Sequence, residues 1–291
     1  MKILTFDIED WFHILDNSDT RSETSWSKFP SRLMANTERI LCLLEETNQN
    51  ATFFCLGWVA DHHPEVIKLI AKAGYHIGTH SYAHQLAYEQ SPEQFRRDLR
   101  RSIGVLQELT GDDICTYRAP GFSIVEQNLW AFEILAEEGI TIDASLFPAG
   151  RAHGGLPHFQ VNTPAIGKWQ EHELKLFPMN TRGLFGKKFI YSGGGYFRIF
   201  PKTLINSWFK ADEYVMTYFH PRDFDPDQPI VPGLSLARRF KSYVGLRGAE
   251  RKLRFLLTNF QFMDIKSAAQ QIEWNNAPAI NLRSGLQLTS S

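Results

Sequence analysis

Cysteine is scarce in this chain: Cys42, Cys55 and Cys115 are the only three among 291 residues. Scattered and odd in number, they argue against a disulfide framework and read as reduced thiols. No Cys-x-x-Cys pair occurs, which argues against a thiolate zinc site. An excess of either charge is missing too. The formal net charge is -1, so nothing draws the chain as a whole to nucleic acid or an anionic membrane. No run reaches the roughly 20 apolar residues that a spanning helix needs. The opening Met1-Lys2-Ile3-Leu4-Thr5-Phe6-Asp7 turns acidic too soon to hold a signal-peptide core, and the cytoplasm is the expected location. There is no phosphate loop either. The stretch Ser192-Gly193-Gly194-Gly195-Tyr196-Phe197-Arg198 is rich in glycine but lacks Gly-Lys-Ser/Thr. It reads as a tight turn where backbone approaches substrate or a neighbouring strand.

What is present is a core. Hydrophobic residues make up 43% of the chain and aromatics 13%, which suits a compact globular protein. With no repeat, low-complexity segment or linker, residues 1–291 read as one domain. β-prone runs at residues 3–6, 51–57, 76–80, 114–117, 140–143, 174–178 and 214–219 alternate with helical patterns. Pro64 stands at a first helical position, with Gly74 as the stop. Ser91-Pro92-Glu93-Gln94 is a capping box that opens a helix to about Leu109, and Ser123 with Glu126 predicts another running to Glu138. This alternation predicts a parallel α/β architecture, with polar residues gathered at the C-terminal strand ends as (β/α) barrels require. Residues 14–30 read as a loop or lid, and 148–172 as a long loop rimming the site.

His80 and His84, four apart, are read on one face of a helical turn, where both imidazoles reach one metal ion. Alone that spacing is weak. It gains weight from Asp7, Glu9 and Asp10, three carboxylates in four positions that repel each other unless solvent or a cation compensates. Two imidazoles and a carboxylate are a usual ligand set for a catalytic zinc with open positions. The helix-borne zincin motif needs Glu directly after the first histidine, and Ser81 stands there. A base must therefore come from elsewhere, with the Asp7–Asp10 cluster as its source. His220 is the best acid, Arg118 a bidentate partner for the basic aspartate, and Asp143 a partner that holds His220 in one tautomer.

Taken in order, Thr5-Phe6-Asp7, His80-Ser81-x-x-His84, Arg118-x-Pro120-Gly121, Asp143-Ala144-Ser145 and Tyr218-Phe219-His220-Pro221 resemble the motifs of the polysaccharide deacetylases with the NodB homology domain, carbohydrate esterase family 4. The start Asp7-Ile8-Glu9-Asp10-Trp11-Phe12, the Gly-Gly-Gly-Tyr-Phe-Arg stretch and the basic C-terminal segment are similar to the exopolysaccharide-biosynthesis branch. The resemblance implies a distorted (β/α)7 barrel over about residues 1–225, with a basic helical extension over about 232–275. It implies a divalent metal, zinc first, with cobalt, nickel or manganese as alternatives, and removal of N-acetyl groups from amino sugars. Asp7 matches the catalytic base, His80 and His84 the metal histidines, and His220 the general acid. Arg118 matches the arginine that tethers the base, and Asp143 the aspartate that tunes the acid. Pro120, Gly121, Phe122 and Tyr196 are the candidate substrate-binding residues. The family's usual pair of adjacent aspartates is broken here by Ile8, so the carboxylate ligand is Glu9 or Asp10. Relatives with an Asp-x-Asp start favour Glu9, while the longer glutamate arm leaves Asp10 open.

The expected partner is an N-acetylated glycan or its lipid- or nucleotide-linked precursor, not nucleic acid, and such a precursor would place the chain at the inner membrane face. After Pro232, Arg238, Arg239, Lys241, Arg247, Arg251, Lys252 and Arg254 face a single Glu250, interleaved with Leu236, Phe240, Leu253 and Phe255. Two surface helices packed on the barrel are the simpler reading. Docking of segment 234–257 on an anionic membrane or glycan is the sharper one. Within the enzyme class, a formamido sugar, an O-acetyl group or a cyclic ureide are alternative substrates. A weakly catalytic glycan-binding scaffold is the alternative outside it.

Overall fold

The computed structural model describes residues 1–15, 17, 19–150, 153–184, 187–283 and 286–288. Parts of the two loops expected at 14–30 and 148–172 therefore lie outside the described residues. Nine strands position the site: β1 (Thr5–Ile8), β2 (Thr52–Cys55), β3 (His76–Thr79), β4 (Thr116–Tyr117), β5 (Ile142–Asp143), β6 (Ala165–Trp169), β7 (His172–Leu176), β8 (Val215–Met216) and β9 (Ala279–Asn281). Side by side they run β1-β2-β3-β4-β5-β7-β6-β9. From β1 to β7 every pairing is parallel. On the outer flank of β1, Lys2–Ile3 pairs in parallel with β8, and Phe6 bridges Phe219.

The order β8-β1-β2-β3-β4-β5-β7 is that of the expected seven-stranded barrel, but it is distorted and open. Among the described residues no backbone ladder joins β7 to β8. Instead Tyr214 Oη donates to the Pro178 carbonyl at 2.8 Å, and Met216 N donates to Asn180 Oδ1 at 3.3 Å. Thr52-Phe53-Phe54-Cys55 is buried at every position, as a parallel strand must be when both faces are covered. The covering helices include α1 (Leu33–Thr47), α2 (Gly57–His62), α3 (Pro64–Lys72), α4 (Pro92–Thr110) and α5 (Ala131–Glu137). Ser91 and Gln94 form the predicted capping box at the start of α4, and Pro64 opens α3.

Two expectations of local structure are corrected. The Ser123–Glu126 box does not form. Asn128 accepts from Val125 N at 2.7 Å and donates to the Ser123 carbonyl at 3.1 Å, closing a 3-10 turn, so the helix starts only at Ala131. Residues 148–172 are not all loop, because Ala165–Trp169 forms a hairpin strand against β7. Beyond the helical extension, β9 returns to pair in parallel with β6.

The basic segment divides into two helices of different character. In α9 (Leu246–Asn259), Leu246, Ala249, Leu253, Leu256 and Leu257 are buried, which is the packed surface helix expected. By contrast, α8 (Leu236–Tyr243) buries nothing, and Leu236 and Phe240 are 84% and 63% exposed. Between β7 and β8, α6 (Gly194–Ile199) starts at the glycine run and α7 (Lys202–Ala211) follows it. A Cβ on Gly193 would lie 2.0 Å from the Tyr218 carbonyl, so here the glycine run does admit a neighbouring strand.

Candidate active site and metal centre

Parallel pairing in register, Thr5 with Thr52 and Thr52 with His76, brings the C-terminal ends of β1, β2 and β3 level. Asp7 lies in β1 with Glu9 just beyond it; His80 follows β3, Arg118 follows β4, and Asp143 ends β5. His220 comes four residues after β8. All of these except Asp10 and Asp143 converge.

The histidine pair does so without a helix. Ser81 and His84 have φ of 66° and 51°, left-handed values, and the chain turns back rather than coiling. Its shape is imposed from outside. Asp98 on α4 accepts from Tyr82 N at 2.8 Å and Ala83 N at 3.0 Å, while the carbonyls of Ser81 and Tyr82 accept from Gly57 N and Trp58 N. Asp98 escaped the sequence reading, since an aspartate on an amphipathic helix carries no signal of its own. As a result the His80 and His84 rings lie 5.5 Å apart, and each Nε2 is 2.9 Å from the same Glu9 Oε1.

This donor set fits a cation. His80 Nδ1 lies 2.7 Å from the Arg118 carbonyl, which can only accept, so Nδ1 carries the proton and a neutral ring turns its Nε2 lone pair toward a carboxylate oxygen. Two lone pairs at that distance need a positive charge between them. Ligand atoms about 2.1 Å from a tetrahedral ion stand about 3.4 Å apart, not far from the contacts seen. Burial pushes the Glu9 carboxyl up, but the neighbouring positive charge, His84 first and then His220, holds it well below the usual range. Asp10, the alternative ligand, is turned away: its carboxylate accepts from Trp11 N at 2.8 Å and Arg32 N at 3.1 Å, bracing the chain before α1.

Arg118 is wholly buried. Its Nη1 donates to Asp7 Oδ1 and to Thr5 Oγ1, both at 2.7 Å, so the pairing with Asp7 is through one oxygen rather than bidentate. Asp7 Oδ2 is left 3.9 Å from His220 Nε2. Asp143 is not the aspartate of His220. Its carboxylate accepts from Ser145 N at 3.0 Å and Ser145 Oγ at 2.6 Å, and burial pushes its pKa up to about 7. Asp223, three residues on in the same turn, takes the role. Its Oδ2 lies 3.1 Å from His220 Nδ1 and accepts from His220 N at 3.0 Å. Burial pushes Asp223 up, yet the Arg198 charge and His220 bring it down to about 2. For His220, burial works against the proton, but Glu9, Asp223 and Asp7 outweigh it and raise the pKa to about 9.

A cavity of about 500 Å³ opens over these groups. Gly121, Phe122 and Tyr196 line it as expected, while Pro120 is buried behind them. At Gly121, φ is 62° and a Cβ would lie 2.7 Å from Leu15 Cδ1, so a residue with a side chain would be strained there. His13, overlooked in the sequence, also lines the cavity.

Residues 17–138 match the profile described as polysaccharide deacetylase, and residues 144–270 match a domain of unknown function, DUF3473. Residues 17–138 thus form a domain of the polysaccharide deacetylase type. His80, His84 and Arg118 fall in this first match and His220 and Asp223 in the second, while Asp7 and Glu9 precede both. The chain is 35% identical over 98 residues to the peptidoglycan-N-acetylglucosamine deacetylase of Bacillus cereus, a stretch covering 33% of this chain and 36% of that protein. It is 28% identical over 100 residues to chitin deacetylase 1 of Saccharomyces cerevisiae, covering 34% of this chain and 32% of the relative. The chain thus spans about a third of the length of the curated relatives it matches. A solved structure described as a candidate polysaccharide deacetylase from Mycobacterium smegmatis superposes with a TM-score of 0.65 at 19% identity, covering 100% of this chain and 93% of that one. A pseudoenzyme of carbohydrate esterase family 4 from Bacillus anthracis superposes at 0.51 and 12% identity, covering 92% of this chain and 64% of that one. At these identities the likeness is one of fold.

Two outcomes are expected. Glu9→Gln should weaken zinc binding, measured by calorimetry, by more than the roughly 10- to 100-fold that an outer-shell loss costs, whereas Asp10→Asn keeps metal affinity; the reverse pattern would make Asp10 the ligand. In metal-free protein the His220 ring should titrate near pH 9 by NMR. Because the folded value lies above the ordinary 6.5, its stabilisation is fully present below pH 6.5 and is lost as pH rises through about 9. Asp223→Asn should lower that value. A wild-type titration at or below 6.5 would contradict the assignment.

Proposed function

We propose that the chain is a metal-dependent hydrolase that removes N-acetyl groups from the amino sugars of a polysaccharide or its precursor, in the manner of the exopolysaccharide-biosynthesis branch. The observation that carries this is one carboxylate oxygen shared by two imidazoles, with a carboxylate and a raised histidine within 4 Å of each other alongside. Glu9, His80 and His84 would hold a divalent ion, zinc first by ligand type. When bound, such an ion supplies Lewis acidity toward an amide carbonyl and acidifies water.

The protein's own groups do the rest. Arg118 fixes Asp7 through Oδ1, so Oδ2 faces the cavity and accepts a proton from the attacking water. His220, kept protonated by Asp223 and the site's carboxylates, stands opposite with Nε2 free of protein hydrogen bonds. It gives its proton to the amide nitrogen as the C–N bond breaks, leaving acetate and a free amine. Phe122 and Gly121 shape one wall and Tyr196 another. The test is acetate release from chitooligosaccharides and a partly acetylated glucosamine polymer, with zinc, with chelator, and with Asp7→Asn. Chelator-sensitive acetate reduced by about 100-fold or more in the variant is expected. No acetate from zinc-loaded protein would move the reading to another acyl group or to a pseudoenzyme.

We further propose a cytoplasmic location, with peripheral contact of α8 on an anionic membrane. It is supported by three cysteines free of disulfides and by exposed Leu236 and Phe240 beside Arg238, Arg239 and Lys241. Full-length protein should co-sediment with vesicles of phosphatidylglycerol and phosphatidylcholine, and Phe240→Ser should reduce the bound fraction severalfold. Equal sedimentation with purely zwitterionic vesicles would remove the electrostatic part of this contact.

A further inference from the structure

The outer part of the cavity carries charge that the hydrolytic groups do not use. Its carboxylates are committed inward: Asp7 to Arg118, Glu9 to the two histidines, Asp223 to His220 and Arg198. Arg222, Lys188 and Lys241 line the same cavity, and none of the three side chains makes a hydrogen bond or ion pair with another described residue. Arg222 is half-buried, with its guanidinium 6.0 Å from the Tyr243 ring. Burial weighs on its charge more than the attraction of Asp223 and Glu9 restores, a cost that an anionic ligand would offset.

The three cations are placed rather than scattered. Arg222 rides on the turn Pro221–Phe224 that carries the acid, two residues beyond His220. Lys241 is brought in by Arg198, which donates through Nη2 to the Lys241 carbonyl at 2.9 Å and through Nη1 to the Ser242 carbonyl at 2.8 Å. Tyr243 Oη pins the end of the same helix, accepting from Val231 N at 2.8 Å and donating to the Pro229 carbonyl at 3.1 Å. Lys188 stands on a separate hairpin strand, Lys187–Phe189. Cations from three segments suit the multiple, dispersed charge of a phosphate better than a single carboxylate.

We propose that Arg222, Lys241 and Lys188 form an anion subsite of the active-site cavity, which holds a phosphate or diphosphate group borne by the sugar that is deacylated. This rests on the hydrolase reading above and narrows its substrate to a phosphate-linked amino sugar, with the link leading to a nucleoside or to a lipid.

The test compares kcat/KM of the zinc-loaded full chain on three substrates: a nucleoside-diphosphate N-acetylhexosamine, a short-chain polyprenyl-diphosphate N-acetylhexosamine, and a neutral chitooligosaccharide. At least one phosphate-bearing substrate should exceed the neutral one by about tenfold or more, with the advantage shrinking as salt rises. Which of the two does so names the source. Arg222→Gln and, at the cavity rim, Lys241→Gln should each cut that ratio severalfold through KM rather than kcat. Acetate released with no phosphate preference, or a ratio unmoved in both variants, would overturn the subsite and leave the deacetylase reading intact. If no substrate yields acetate, calorimetric binding of the nucleoside-diphosphate sugar decides. Saturable binding weakened in Arg222→Gln supports the subsite, and no binding overturns it.

Discussion

The site depends on one buried guanidinium. Arg118 is wholly enclosed, its plane 4.2 Å above the Phe54 ring, and a charge there is tolerable only if every contact is productive. Its Nη1 reaches Asp7 and Thr5 in β1, its Nε donates to the Ala144 carbonyl just past β5 at 3.3 Å, and its own carbonyl accepts from His80 beyond β3. One residue thereby orients the base, fixes the tautomer of a metal histidine and ties three strand ends together. Removing it would leave a buried carboxylate unpaired, which costs far more than the pair itself contributes.

A second arrangement mirrors the first. The turn Pro221–Phe224 presents His220 and, three residues later, the aspartate that holds it, and Arg198 steadies that aspartate from α6 at 3.6 Å. The same arginine clasps the end of α8, so the acid and the basic helix are parts of one assembly. That gives the region matched as a domain of unknown function a physical purpose. It carries His220 and the cationic outer wall, while the region matched as polysaccharide deacetylase carries His80 and His84.

Much of this was readable from residue order. Asp7, His80, His84, Arg118 and His220 each stand next to an apolar run that could only be a buried strand, and parallel strands deliver their C-terminal ends to one place. The capping box at Ser91 and the proline at 64 were legible because they act through near neighbours. Failures came where a distant partner won. Ser123 is drawn to Ala87 N instead of capping a helix, and the histidine loop is bent by Asp98. Asp143 looked right as a tuner of His220, but its carboxylate closes on Ser145 two residues away. Strand β9 went unseen because it is three residues long and gains its stability from β6, far earlier in the chain.

Sequence alone determined the strand-helix alternation and the residue types that gather at the strand ends, because periodicity, capping and side-chain type are local properties. It left Glu9 and Asp10 equivalent in kind. Only the tertiary structure separated them, by giving Asp10 two backbone N–H donors and Glu9 two imidazoles. The partner of His220, the openness of the barrel and the unpaired cations over the cavity were likewise decided by packing. Each depends on contacts that side-chain type alone does not fix, and a carboxylate's role follows from what reaches it first.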